Sequence, residues 1–134
     1  MSSSYGKNLR ISIFGQSHGQ MIGAVIDGLP VGEEIDLSAL QKFVDRRSPG
    51  RDEYSTARQE RDRVEIVSGL YQGKTCGAPL CLLIANSDTR SHDYEQLRDI
   101  PRPGHADYSA KVRYHGYNDP RGGGHFSGRL TAPL

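Results

Sequence analysis

Leu9 to Gly28 reads LRISIFGQSHGQMIGAVIDG, two apolar runs on either side of a polar turn bounded by glycines. In the first run, LRISIF, apolar residues alternate, with Leu9, Ile11 and Ile13 on one face. That is the period-two pattern of a half-buried strand. The second run, Met21 to Gly28, is a strand paired with the first across GQSHGQ. A hairpin of this kind needs further strands or a helix to bury its apolar face.

The rest of the chain supplies them. LPVGEE is a loop, and from Leu37 the apolar residues fall at Leu37, Leu40, Phe43 and Val44, a helical spacing with Asp36 as N-cap. Arg46 and Arg47 close that helix, and Pro49-Gly50 breaks it. Arg51 to Arg63 is polar and reads as a long loop of the sort that serves as a lid or binding element. Val64 to Leu70 and Ala78 to Ala85 are two more strands, joined by the turn YQGKTCG. A short helix is expected near Tyr94 to Leu97, and another over Tyr108 to Tyr114, after PRPGHAD. Strands that pair through turns, with helices set apart from them, make an α+β fold rather than a βαβ alternation. Antiparallel strand pairs with helices packed in a sandwich are the expected architecture, in one domain over residues 1–134.

Composition narrows the function classes. Hydrophobic residues make up only 35% of the 134 residues, but they come in organised runs, which argues against disorder. The formal net charge of +1 argues against a nucleic-acid surface that works by bulk charge. Arginine heavily outnumbers lysine. The planar guanidinium fork suits paired carboxylate or phosphate oxygens, although genomic base composition produces the same skew. Cys76 and Cys81 are not spaced as CxxC and read as a buried, reduced pair. The start, MSSSYGKN, has no apolar signal segment, and no run is long enough to span a membrane, so a cytoplasmic protein is expected.

Chemistry-bearing residues gather in turns. His18 lies in GQSHG and His105 in RPGHAD, and a loop imidazole can hold or deliver a proton near neutral pH. The alternative for each is a surface histidine bonded to water or a carbonyl, and His92 and His115 are assigned to that class. DPRGGGHFSGR, Asp119 to Arg129, sets three glycines between arginines. Such a loop can turn several backbone N–H groups, with Ser127 and Arg129, towards one anion, or can be a plain hairpin tip. No GxxxxGK[ST] loop, HExxH motif or zinc-type Cys/His array occurs, so no metal site is expected.

Taken in order, GQSHG, DRRSPGR, RPGHAD and DPRGGGHFSGR closely resemble the N-terminal part of chorismate synthase, from Gly6 to Leu134. The resemblance implies a carbon–oxygen lyase of aromatic amino-acid biosynthesis. Its reaction is the 1,4-elimination of phosphate from 5-enolpyruvylshikimate 3-phosphate to give chorismate, in a homotetramer. The implied cofactor is reduced FMN, with NADPH as a candidate external reductant. It implies catalytic roles for His18, beside the flavin, and His105, as proton donor to the departing phosphate. It implies substrate contacts at Ser17, Arg47, Arg102, Ser127 and Arg129, with Arg46 and Arg51 as supporting basic residues. Flavin contacts are implied at His125, Phe126 and Ser127. A substrate with a phosphate and two carboxylates also accounts for the arginine excess, and Arg47, Arg102 and Arg129 should converge with His18 on one concave surface.

The chain departs from the family pattern at Gln16, where glutamate is usual, and at His125-Phe126, where Arg-Ser is more common. It also stops at RLTAPL on apolar residues, which reads as a cut. The resemblance puts most flavin-phosphate contacts, and an aspartate that assists substrate deprotonation, beyond Leu134. The alternative reading is therefore an inactive fragment or remnant that retains an anion pocket.

Overall fold

A computed structural model of the chain describes residues 3–46, 62–86 and 101–119. Its main element is a five-stranded antiparallel sheet of β1 (Ser4–Tyr5), β2 (Arg10–Gly15), β3 (Met21–Asp27), β4 (Val64–Ser68) and β7 (Leu80–Ala85). Two short strands, β5 (Leu70–Tyr71) and β6 (Lys74–Thr75), form a separate hairpin. The helices are α1 (Leu37–Asp45) and α2 (Asp107–Arg113). The α+β class read from the sequence is borne out.

Strand order in the sheet is β1-β2-β3-β7-β4. The β2–β3 hairpin forms as expected, with Arg10 opposite Asp27 and Gly15 opposite Ile22. β7 then enters between β3 and β4, antiparallel to both, so the fourth strand of the chain lies at the edge. Alternation does the rest. Ile11, Ile13, Ile22, Ala24, Ile26, Leu82 and Ile84 share one face, and Leu40, Phe43 and Val44 of α1 line the same apolar space of about 220 Å³. Ile22, Val44 and Leu80 are the buried residues of this two-layer core. Leu9, expected on that face, precedes the strand and is exposed, because pairing with β3 begins at Arg10.

Helix α1 starts where its cap predicts. Asp36 accepts a hydrogen bond from the Ala39 N–H at 2.9 Å, satisfying a donor that the first turn leaves unpaired. One side chain then ties the helix to the sheet. Gln41 Nε2 donates to the Asp62 carbonyl at 2.8 Å, and Gln41 Oε1 accepts from the Val64 N–H at 3.0 Å. This amide pairs with the entrance of the edge strand β4 as a neighbouring strand would, and so occupies backbone groups that an edge otherwise exposes.

Two expectations need correcting. YQGKTCG is more than a turn: Leu70 pairs with Thr75 and Tyr71 with Lys74 in the β5–β6 hairpin. Thr75 Oγ1 fastens it to the LPVGEE loop by donating to the Pro30 carbonyl at 2.6 Å and accepting from Glu33 N–H at 2.9 Å. Cys76 and Cys81 are both thiols, but they are not a buried pair. Cys76 is exposed in the loop after β6, and Cys81 is half-buried within β7. The expected helix near Tyr94 to Leu97 and the polar loop up to residue 61 lie outside the described residues.

Replacing Gln41 with Leu keeps the side-chain bulk but removes both bonds to the edge strand. It should cost about 1–3 kcal/mol, since the Val64 N–H loses its partner in a half-buried site. A urea melt of the Q41L variant checks this, and an unchanged midpoint would mean that apolar packing alone seats the helix.

Candidate active site

The GQSHG turn joins β2 to β3. The Gly19 N–H donates to the Gln16 carbonyl at 3.0 Å, which makes Gln16 to Gly19 a β-turn with Ser17 and His18 at its two central positions. Gly15 lets the hairpin close. Its φ is +118°, and a Cβ there would lie 2.7 Å from Ile22 Cα on the paired strand. Ser17 and His18 are half-buried, and His18 Nδ1 is shielded from solvent.

The far side of this turn is held by Asn86, the residue after β7. Asn86 Nδ2 donates to the carbonyls of Gly19 at 2.8 Å and Ser17 at 3.1 Å, with the Gln16 carbonyl at 3.5 Å. Beside the turn lies an open concavity of about 510 Å³ lined by Phe14, Gly15, Gln16, Gly19, Gln20 and Met21. Exposed Phe14 and Met21 offer apolar surface there, and the two glutamine amides offer donors and acceptors. These residues fit a planar heteroaromatic ring with polar edges.

The second histidine turn is built differently. In RPGH, the His105 N–H donates to the Arg102 carbonyl at 3.3 Å. Pro103 sits at the position that needs φ near −60° and Gly104, at φ +78°, at the one that needs a left-handed backbone: a type II turn. Nothing lies within 4 Å of a Cβ at Gly104, so the backbone angle and not space calls for glycine. His105 is exposed, and its Nδ1 makes a long 3.4 Å approach to the Pro103 carbonyl.

Asp107, the first residue of α2, fixes this turn. Its Oδ2 accepts from Arg102 Nε at 2.8 Å and from the Arg102 backbone N–H at 3.0 Å, and its Oδ1 accepts from Arg102 Nη2 at 3.1 Å. The carboxylate is buried, and the guanidinium is mostly so. Hydrogen bonds from the Arg102 side chain hold the Asp107 carboxyl below its ordinary value. Burial opposes them, while the backbone bond and the nearby charges of Arg102 and His105 add to the lowering.

The other expected site residues divide. Arg46 is the exposed C-cap of α1, with its guanidinium 5.5 Å from the Phe43 ring centre. Arg47, Arg51, His125, Phe126, Ser127 and Arg129 lie outside the described residues, as does His92. The expected convergence of Arg47, Arg102 and Arg129 with His18 therefore falls mostly there too. His115, assigned to the structural class, takes a left-handed φ of +53° just past α2. The Gly116 N–H beyond it returns to the Lys111 carbonyl at 2.9 Å, so His115 serves helix termination.

Sequence reading missed Asn86 and Asp107 as structural determinants. Asn86 carries no local motif, and its partners are distant in sequence. Asp107 did leave a signal: an acid at the first position of a helix, where the dipole favours it, close behind an arginine and a Pro-Gly turn.

The class of protein is thus an α+β domain that presents two pre-shaped histidine turns. The family model for chorismate synthase matches residues 9–134. A chorismate synthase of Korarchaeum cryptofilum is 48% identical over 97% of this chain and 36% of its own length. One of Ralstonia pickettii is 54% identical over 92% of this chain and 33% of its own. A crystal structure of chorismate synthase superposes on 70% of this chain and 26% of that one, with a TM-score of 0.51 and 31% sequence identity. The chain belongs to the chorismate synthase family, and it spans about a third of the length of the relatives it matches.

Substitution of Asp107 by Ala should destabilise the chain by about 1–3 kcal/mol, the scale for losing hydrogen bonds to a charged group. Because folding lowers this carboxyl's value, its contribution is complete above the unfolded carboxylate value of about 3.9. It fades as pH falls through the lower folded value. Denaturant melts of wild type and D107A should therefore differ at neutral pH and converge in strong acid. A gap that stays constant into acid would show that the ionised pair is not its source.

Proposed function

We propose that residues 1–134 form the N-terminal part of a chorismate synthase, a cytoplasmic lyase that eliminates phosphate from 5-enolpyruvylshikimate 3-phosphate. The observation that carries this reading is the RPGH turn, locked by Arg102 and Asp107, which leaves His105 exposed at its end. A leaving phosphate departs more readily when a proton neutralises one of its oxygens, and an exposed imidazolium on a rigid turn is suited to supply it. In the net reaction the ring C–O bond to phosphate and a ring C–H bond break, and a second ring double bond forms.

Asp107 holds the Arg102 guanidinium in one plane, so a substrate carboxylate or phosphate oxygen would share that guanidinium with a carboxylate already bound. Arg102 then acts as an oriented edge rather than a mobile charge. Ser17 and His18 would meet the reacting ring and the cofactor from the GQSHG turn. Arg46, Arg47, Arg51, Ser127 and Arg129 would complete the anion pocket. Reduced FMN, once bound, supplies electron density that the elimination requires, without net redox change. Phe14, Gln16, Gln20 and Met21, together with His125, Phe126 and Ser127, are the residues of this chain that would hold it. NADPH is the external reductant and a homotetramer the assembly that this reading carries for the complete enzyme.

The test is anaerobic incubation with reduced FMN and 5-enolpyruvylshikimate 3-phosphate, with chorismate followed by absorbance. The complete enzyme should turn over, and His18→Ala or His105→Ala should lower kcat by roughly 10²–10⁴-fold with a smaller effect on KM. Residues 1–134 alone should form no chorismate. Near-normal kcat in both variants would return these histidines to a structural role, and turnover by the isolated chain would show that the remaining two-thirds is dispensable.

A further inference from the structure

We propose that Asn86 is the positioning residue for His18, acting through the backbone of the GQSHG turn; the catalytic part of this proposal rests on the function given above. β3 and β7 pair from Ile26 opposite Leu80 to Met21 opposite Ala85. Asn86 is the next residue along β7, and its backbone N–H donates to the Gln20 carbonyl at 2.8 Å, so the ladder delivers its side chain to the turn. A primary amide has two N–H hydrogens. The shorter contacts, to Gly19 at 2.8 Å and Ser17 at 3.1 Å, use both. The Gln16 carbonyl, at 3.5 Å, already accepts from the Gly19 N–H.

The two carbonyls that Asn86 engages flank His18. Ser17 C=O belongs to the peptide unit that enters His18, and Gly19 C=O to the unit that leaves the glycine after it. Fixing both planes restricts the backbone angles through which the imidazole is aimed. The turn lies beyond the end of the β3–β7 ladder, whose strand pairing does not use these donors, so removing them loosens the turn more than it weakens the sheet. A catalytic imidazole displaced by about 1 Å can cost a hundredfold in rate. Asn86 thus bears on where His18 points, and little on whether the chain folds.

The experiment compares Asn86→Leu, which keeps bulk but has no donors, and Asn86→Ala with wild type. In the complete enzyme kcat should fall roughly 10- to 100-fold with KM little changed. In the 134-residue chain, NMR should show altered His18 ring signals and broadened amides from Gln16 to Gln20, with β3 and β7 unperturbed. Unchanged His18 signals in a folded variant overturn the proposal. Should neither variant fold, hydrogen exchange of the wild-type Asn86 side-chain amide decides: marked slowing relative to exposed Gln72 upholds the clamp, and equal rates overturn it. These NMR readouts need no substrate, so a wild-type enzyme that forms no chorismate would sink the functional reading while leaving the Asn86 clamp separately decided.

Discussion

The register of β3 against β7 is the constraint on which the rest depends. Met21 stands opposite Ala85 and Ile26 opposite Leu80, and this alignment puts Ile22, Ala24 and Ile26 with Leu82 and Ile84 on the face that α1 covers. A slip of one residue would turn Ile22, Ala24 and Ile26 to the other face and strip the helix of its partner. The same alignment sets where β7 ends, and hence that Asn86 falls beside the turn leaving β2. Core and GQSHG turn are therefore set by one ladder. Hydrophobic burial fixes the register, and the register places the clamp.

Both histidine turns follow one physical logic with different chemistry. A short turn left to itself samples many conformations, and freezing each residue costs roughly 1–2 kcal/mol. In GQSHG the neutral amide of Asn86 bridges carbonyls and adds no charge next to His18. In RPGH a proline and a glycine preset the backbone, and the buried Asp107 carboxylate gathers the N–H groups of Arg102 from main chain and side chain. Neither device relies on the bulk charge of the chain, which is nearly zero. Charge enters only the second device, where the Asp107 carboxylate and the Arg102 guanidinium are paired with each other.

Local patterns were legible in the sequence, and long-range pairings were not. Alternation in Leu9 to Phe14, the Asp36 cap with Leu40 and Val44 behind it, and the run ending at Ala85 each write their own element. The helix expected from Tyr108 begins one residue earlier, since Asp107 is drawn into its first turn. The insertion of β7 between β3 and β4 could not be read, because alternation reports a buried face and not a neighbour. For the same reason Gln41 and Asn86 looked like ordinary polar residues. Their partners lie across the sheet, and a single amide has no period. Of the candidate site, the turns were visible through Gly and Pro, and what holds them was not.

That distinction bears on the departure at Gln16. The turn uses the main chain of this residue, whose carbonyl accepts from Gly19 N–H, while the side chain is exposed on the rim of the adjoining concavity. Glutamate in its place, which the resemblance leads one to expect, would offer the same carbonyl and build the same turn. What differs is one negative charge on the rim of that concavity. Exchanging Gln16 for Glu should thus leave the hydrogen bonds of Asn86 and the position of His18 intact, and change only the electrostatic field at the rim of the concavity.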